Sequence, residues 1–373
     1  MSGPQASPRV LVLTPDFPPA FGGIQLLMHR LVANWARVEA RVVTLDAPGA
    51  AAFDRDEPLP PARVRCHRAL GLTGLIGTLN ARSVLEAARF RPAVVLSGHI
   101  NASPAAWIVE RLLGAPYVQY LHGREAVIRP RLTAFGLSHA SAVVAVSAYT
   151  RDLALSHGAR PASIHRIPPG VDVTEESPQN GRRTGRPTVV TVARLEQRYK
   201  GHDVLLRALP LVRSRIPDVE LVIVGDGPLR EACEELSSAL GLEASVRFAG
   251  PLDDAARNEV LSRSHVFAMP SRLPIDGGGE GFGIVYLEAG IHGLPVVAGD
   301  VGGALDAVVH GETGVLVDPA DHVAVAEAIA DLLADPARAE ALGRAARERA
   351  LSLAWPAIAR RVEDVLLDVA SSR

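Results

Sequence analysis

Arg194 and Lys200 stand six residues apart in "ARLEQRYKGHD" (193–203), and Lys200 is the only lysine among 39 basic residues. An arginine offers a planar fork of donors, a lysine a compact point charge. Together they suit the several oxygens of a diphosphate better than a single carboxylate. Composition alone does not decide whether the lysine is there for its shape or by accident. Two carboxylates, Glu280 and Glu288, form an E-x7-E pair in "DGGGEGFGIVYLEAGIHG" (276–293). The three glycines before Glu280 read as a mobile or tightly approached loop. Gly281, Phe282, Gly283 and Ile284 then open a helix, and a helix N-terminus flanked by small residues can cradle a phosphate. Glu280, just before it, can reach a polar group beside that phosphate. Glu288 falls in an apolar strip with Ile284, Val285, Leu287 and Ile291, where an unpaired carboxylate is costly. A diol such as a ribose would satisfy it, and so would a structural ion pair.

Three further glycine turns follow expected strands. "TPDFPPAFGGIQ" (14–25) sets Gly22 and Gly23 just before a helix, where backbone N–H groups can approach an anion. Its spacing is not G-x-G-x-x-G, which weakens a dinucleotide reading. "IVGDGPLR" (223–230) and "DVGGALDAV" (300–308) are as readily structural turns as ligand loops. His99 in "LSGHINASP" and His122 in "YLHGREAV" each end an expected strand, and His122 is the better placed of the two. No HExxH or Cys/His cluster appears, and no DxD-type acidic pair falls at an expected cleft position, so no metal or cofactor is expected; G-x-S-x-G and Walker A motifs are absent too.

These residues need elements to hold them. "RVLVL" (9–13), "ARVVTL" (40–45), "AVVLS" (93–97), "YVQYL" (117–121) and "SAVVAVS" (141–147) read as strands with helical stretches between most of them. Ile24, Leu27, Met28, Leu31, Val32 and Trp35 lie on one helical face, as core. The series breaks at 167–187, a Pro-, Gly- and polar-rich stretch that reads as a linker. It resumes with "TVVTVA" (188–193), "VELVIVG" (219–225), "SVRFAG" (245–250), "HVFAMP" (265–270), "LPVVAG" (294–299) and "TGVLVD" (313–318). Alternating strands and helices predict α/β architecture with parallel sheets covered on both faces. The expected domains are 1–175 and 176–354, followed by a last amphipathic helix, 355–373. Two such domains joined by a hinge would leave a ligand cleft between their carboxyl ends.

At 373 residues two domains are the prior, and 48% hydrophobic with 21% charged residues is ordinary for a soluble globular chain. Cys66 and Cys233 form no disulfide framework, which suits a reducing cytoplasm. No apolar run reaches membrane-span length, and the N-terminus lacks a signal-peptide core. The net charge of −2 hides a division. Residues 1–170 hold 18 arginines against 10 carboxylates, the remainder 21 basic residues against 31. A basic half suits a membrane surface or an anionic acceptor, or is simply a solvated arginine-biased surface. Nucleic acid is not expected, because no basic run carries interleaved aromatics.

Taken in order, "TPDFPPAFGGIQ", "LHGRE", "VSAYTRD", "IPPGVD", "ARLEQRYKGHDVLLRAL", "LVIVGDGPLR", "EGFGIVYLEA", "GLPVVAGDVGG" and "HGETGVLVDP" resemble family 4 of the nucleotide-sugar-dependent glycosyltransferases. "DFPPAFGGIQ" and "GIVYLEA" are especially similar to bacterial mannosyltransferases that build phosphatidylinositol mannosides. The resemblance implies a GT-B fold, two Rossmann-like domains facing across a cleft, with the last helix, 355–373, crossing back to pack on the first domain. It implies a retaining hexosyltransferase moving a sugar from GDP-mannose or a UDP-hexose to a hydroxyl of a lipid or small molecule. Arg194 and Lys200 would then bind the donor diphosphate, Glu280 the sugar hydroxyls, the Gly281–Ile284 backbone phosphate and sugar, and Glu288 the ribose. Gly22 and Gly23 would line the phosphate and acceptor side, His122 the anomeric carbon, and Asp16 the acceptor. The catalytic set would be His122, Arg194, Lys200 and Glu280. No carboxylate nucleophile is evident, so the implied route is front-face substitution in which the leaving diphosphate takes the acceptor proton. The implied setting is cytoplasmic, at the inner membrane face. One departure is that the last glycine pair continues as Ala304–Leu305–Asp306 where the family usually has Pro–Glu, which puts that loop's conformation in question. An epimerase or phosphorylase of the same fold, or a non-catalytic nucleotide-sugar-binding subunit, are the competing readings.

Overall fold

The computed structural model describes residues 7–65, 71–173, 185–274 and 277–372. Cys66, Asp276 and most of the expected linker lie outside them. The chain divides into two compact units, Met1–Gly170 with Trp355–Arg373, and Val171–Ala354.

In the first unit the described strands are β1 (Arg9–Leu13), β2 (Glu39–Leu45), β3 (Ala62–Val64), β4 (Val94–Ser97), β5 (Tyr117–Leu121), β6 (Ala142–Ala145) and β7 (Ile164–Arg166). They pair in parallel in the order β3-β2-β1-β4-β5-β6-β7. β3 and β7, three residues each, are too short to show a sequence period and were not among the expected strands. The β-branched runs do what double-sided burial requires: Val10 to Leu13 and Val94 to Leu96 are fully buried. The chain winds from β1 toward β3, then returns to β4 and winds the other way. Loops leaving β1 and β4 therefore diverge at their carboxyl ends, where doubly wound sheets form ligand crevices.

The expected helical face is present in Gly23–Ala33, with Leu27, Met28, Leu31 and Val32 buried. It is shorter than the periodicity suggested. Asn34 ends it, its side-chain amide donating to the Arg30 carbonyl at 2.8 Å, so Trp35 lies beyond the helix and, like Ile24, is only partly buried. The helix Trp355–Ser371 belongs to this first unit, packing Ile358, Ala359, Val362 and Leu366 toward β4, β5, β6 and the Gly23–Ala33 helix. Glu363 pins it there. Its carboxylate is 2% exposed and accepts the backbone N–H of Ala36 (2.9 Å) and Arg37 (2.7 Å) and the Arg37 guanidinium (3.0 Å).

The second unit repeats the plan with β8 (Thr188–Val192), β9 (Glu220–Val224), β10 (Val246–Gly250), β11 (Val266–Met269), β12 (Val296–Gly299) and β13 (Gly314–Val317). The parallel order is β10-β9-β8-β11-β12-β13, so its switch point falls between β8 and β11. Among the described residues no helix is long and apolar enough to cross a membrane.

Candidate active site

The switch point of the second unit is where Arg194, Lys200 and Glu280 converge. Arg194 directly follows β8, and its backbone neighbours are clamped by the turn after β9. Ala193 N–H donates to Val224 (3.0 Å), Leu195 N–H to Asp226 (2.9 Å) and Leu229 N–H to Leu195 (2.8 Å). Gly225, at φ +128, lies so close that a Cβ there would sit 2.2 Å from the Ala193 carbonyl oxygen. The G-D-G turn therefore serves the close approach of two backbones. The Arg194 side chain is exposed and pairs with Glu196 at 3.2 Å.

Lys200 ends a 3₁₀ turn, Arg198–Lys200, before the helix His202–Arg215. Gly201 between them adopts φ +81 because the Pro270 carbonyl presses against it, 2.3 Å from where a Cβ would stand. Arg272 staples the loop after β11 to this segment. Its backbone N–H donates to Tyr199 (2.8 Å), and its guanidinium to Asp203 (2.8 and 3.0 Å) and the Arg198 carbonyl (3.0 Å). The result is that Lys200 Nζ donates directly to Glu280 Oε2, with the two side chains only 18% and 14% exposed. Burial opposes the charge on Lys200, but the Glu280 carboxylate, with Tyr199 and the hydrogen bond, outweighs it and raises the ammonium's pKa. Arg194 pulls the other way, close enough for its charge to be felt.

In the glycine run before Glu280, Gly277 and Gly278 have positive φ, and Gly279 is closely approached: a Cβ there would stand 2.6 Å from the Leu273 side chain. The turn at Gly302–Gly303 holds the backbone of Glu280 from behind. Gly303 N–H donates to the Glu280 carbonyl at 2.9 Å, and a Cβ on Gly303 would stand 2.1 Å from the Gly281 oxygen. Its Ala304–Leu305–Asp306 continuation forms a short helix, Ala304–Ala307. Ile284–Ile291 is helical as expected, entered through Gly283 at φ +91 and capped by no side chain, so its first N–H groups have no partner within it. Tyr286 anchors it, its hydroxyl donating to the Met269 carbonyl at the end of β11 (2.9 Å) and lying 3.0 Å from Ser271 Oγ.

Glu288 has part of each expected environment. Arg257 Nη2 stands 3.7 Å from its carboxylate, an ion pair without a hydrogen bond, and Arg257 also pairs with Asp254 at 3.1 Å. Burial raises the Glu288 pKa; Arg257 opposes this, while Asp254 and Asp172 add to it. The carboxylate thus keeps unused acceptor capacity.

In the first unit, loops after β1, β4 and β5 gather a second group. Asp16 accepts from Gln25 Nε2 at 2.8 Å and its N–H donates to Thr14 Oγ1 at 3.1 Å. Gly22 and Gly23 close that loop into the helix; a Cβ on Gly22 would collide with the Gln25 side chain. His122 donates its backbone N–H to the buried Glu125 carboxylate (2.5 Å), and its Nε2 lies 2.8 Å from the Gly98 carbonyl. A carbonyl only accepts, so Nε2 carries the proton, and in the neutral ring Nδ1 is left as an acceptor. The ring stacks on Tyr120 (centroids 5.2 Å apart) and His99 (6.4 Å). Burial lowers the pKa of His99, against the pull of Glu125 and Asp16. His99, ranked second to His122 in the sequence, follows the end of β4, and Glu125, which the sequence did not single out, lies in the helix Arg124–Ile128 after β5.

Residues 21–175 match the Glycosyltransferase Family 4 family and residues 172–349 the Glycosyl transferases group 1 family. The chain is 36% identical to the GDP-mannose-dependent alpha-(1-6)-phosphatidylinositol monomannoside mannosyltransferase of Mycolicibacterium smegmatis, over 96% of this chain and 98% of that one. It is 37% identical to the protein of that name in Mycobacterium tuberculosis, with the same coverage. A Corynebacterium glutamicum relative acting on the monoacylated lipid is 31% identical over 97% and 98%. Among solved structures, sucrose-phosphate synthase of Thermosynechococcus elongatus superposes with a TM-score of 0.82 at 23% identity, covering 98% and 100% of the two chains. HepE of Anabaena, in complex with UDP and glucose, gives 0.79 at 22%, covering 96% and 99%. The fold is GT-B.

Proposed function

Because the chain belongs to glycosyltransferase family 4 and is a hexosyltransferase that uses a nucleotide sugar, we propose that its donor is GDP-mannose and its acceptor a hydroxyl of a phosphatidylinositol-type lipid. The convergence of Arg194, Lys200 and an uncapped helix N-terminus at the β8/β11 switch point carries this reading, since it suits a diphosphate leaving group. The likeness to phosphatidylinositol monomannoside mannosyltransferases over nearly the whole chain supports the choice of sugar and lipid. Arg194 and Lys200 stabilise charge growing on the diphosphate as the glycosidic bond breaks. That charge compensation is the work a metal would otherwise do, so turnover proceeds without one. Glu288 takes the ribose diol, and Asp16 and His122 serve the acceptor and the sugar. The departing diphosphate oxygen accepts the proton of the attacking hydroxyl on the same face, so the anomeric configuration is retained. The protein works in the cytoplasm at the inner membrane face, with the basic first unit toward the anionic lipid.

The test is incubation with GDP-mannose and vesicles containing phosphatidylinositol or its monomannoside, with and without EDTA. An α-mannosylated lipid by mass spectrometry and NMR, formed equally with EDTA, is the expected result. Transfer from UDP-glucose only would overturn the donor assignment; donor consumption without a lipid product would overturn the acceptor.

A further inference from the structure

Two demands meet on Glu280. On the role the family resemblance implies, its carboxylate would serve the sugar hydroxyls of the proposed donor, yet in the ligand-free protein that carboxylate is spent on Lys200. We propose that Glu280 discriminates a sugar-bearing diphosphate from a bare one by occupying Lys200 until displaced, the sugar alone offering the displaced carboxylate new partners. The inference rests on reading Arg194, Lys200 and the Ile284–Ile291 N-terminus as the diphosphate site and Glu280 as a partner of the sugar.

The geometry limits what can move. The Glu280 carbonyl is held by Gly303 N–H at 2.9 Å, and the backbones of Gly281 and Gly303 are in close contact. Lys200 N–H donates to Gln197 at 3.2 Å, and the Arg272 staple holds the turn around it. Exchange is therefore a side-chain rotation between fixed backbones, with Gly279 and Gly281 on either side of Glu280 adding no side chain to obstruct it. Both groups are largely buried, so parting them leaves a poorly hydrated carboxylate unless something donates to it. A bare nucleoside diphosphate satisfies Lys200 and strands Glu280. A nucleotide sugar satisfies both. After transfer the sugar is gone, Glu280 again competes for Lys200, and the spent diphosphate is expelled.

Because Lys200 is the only lysine, lysine-selective ¹⁵N labelling yields one side-chain resonance, a direct reporter on the exchange. In the free protein Glu280→Gln is expected to shift that resonance; with saturating GDP, wild type and variant should coincide. By calorimetry E280Q should bind GDP about tenfold tighter than wild type and GDP-mannose no more than twofold tighter. In a Lys200→Met background the same substitution should change GDP affinity less than twofold. An identical free-state resonance in wild type and E280Q overturns the proposal, as does GDP binding no tighter in E280Q. Tightening that persists with Lys200→Met also overturns it, since simple repulsion between Glu280 and the diphosphate would then suffice. If neither GDP nor UDP moves the resonance in either protein, the diphosphate reading falls and this inference falls with it.

Discussion

At Lys200 the ammonium is bounded by the Glu280 carboxylate on one side and the Tyr199 ring, 5.2 Å away, on another. An arginine fork is larger than an ammonium and its charge more diffuse. Lys200→Ala is expected to cost at least about tenfold in turnover, the loss of one charge-assisted contact to the leaving group, and Lys200→Arg less. Steady-state kinetics check this; full activity in the arginine variant would return the lone lysine to compositional accident. Glu288 supplies a second residue-scale expectation. Burial raises its pKa above the usual carboxyl value, so the fold favours the protonated form. The contribution is fully present at low pH and is lost as pH rises through the raised pKa. Glu288→Gln should therefore melt higher than wild type at pH 8 and equally at pH 4, while binding nucleotide roughly tenfold more weakly for want of a charged acceptor.

At the scale of elements, glycine-enforced backbone contacts set the loops that carry charge. Gly303 backs onto Gly281, Gly225 onto Ala193, and Gly201 onto Pro270. Gly303→Ala would force the Glu280 segment to shift, with an expected loss of about 1–3 kcal/mol in stability and a fall in donor affinity, readable by thermal melts with and without GDP. These elements were largely legible in sequence. The β-branched runs marked eleven strands, and the glycine positions marked the loops between them. The side-chain pairings were not. Lys200 and Glu280 are 80 residues apart, and Arg272 and Asp203 are 69 apart. Periodicity reports which face a residue occupies and says nothing of which distant carboxylate it meets. The surroundings of His99 were hidden for the same reason: Asp16 comes from one distant segment, and His122 and Glu125 from another.

At the scale of the molecule, each unit has its own parallel sheet and core, but only the second is built from continuous chain. The first needs the helix Trp355–Ser371, and Glu363 is its fastener. Glu363→Ala strips the acceptor from two backbone N–H groups and from Arg37, and should cost about 1–3 kcal/mol. A chain stopped after Ala354 should lose the first unit's cooperative melt in calorimetry while keeping the second's. The same feature fixes an order of events during synthesis. Segments of the first unit leave the ribosome early, but β4, β5 and β6 lack the helix that packs on them until residues 355–371 emerge. By then the whole of the second unit has been made and can have folded as a contiguous domain. The half of the protein translated first is thus the half completed last, and it waits without its closing helix through the time needed to translate the intervening 184 residues.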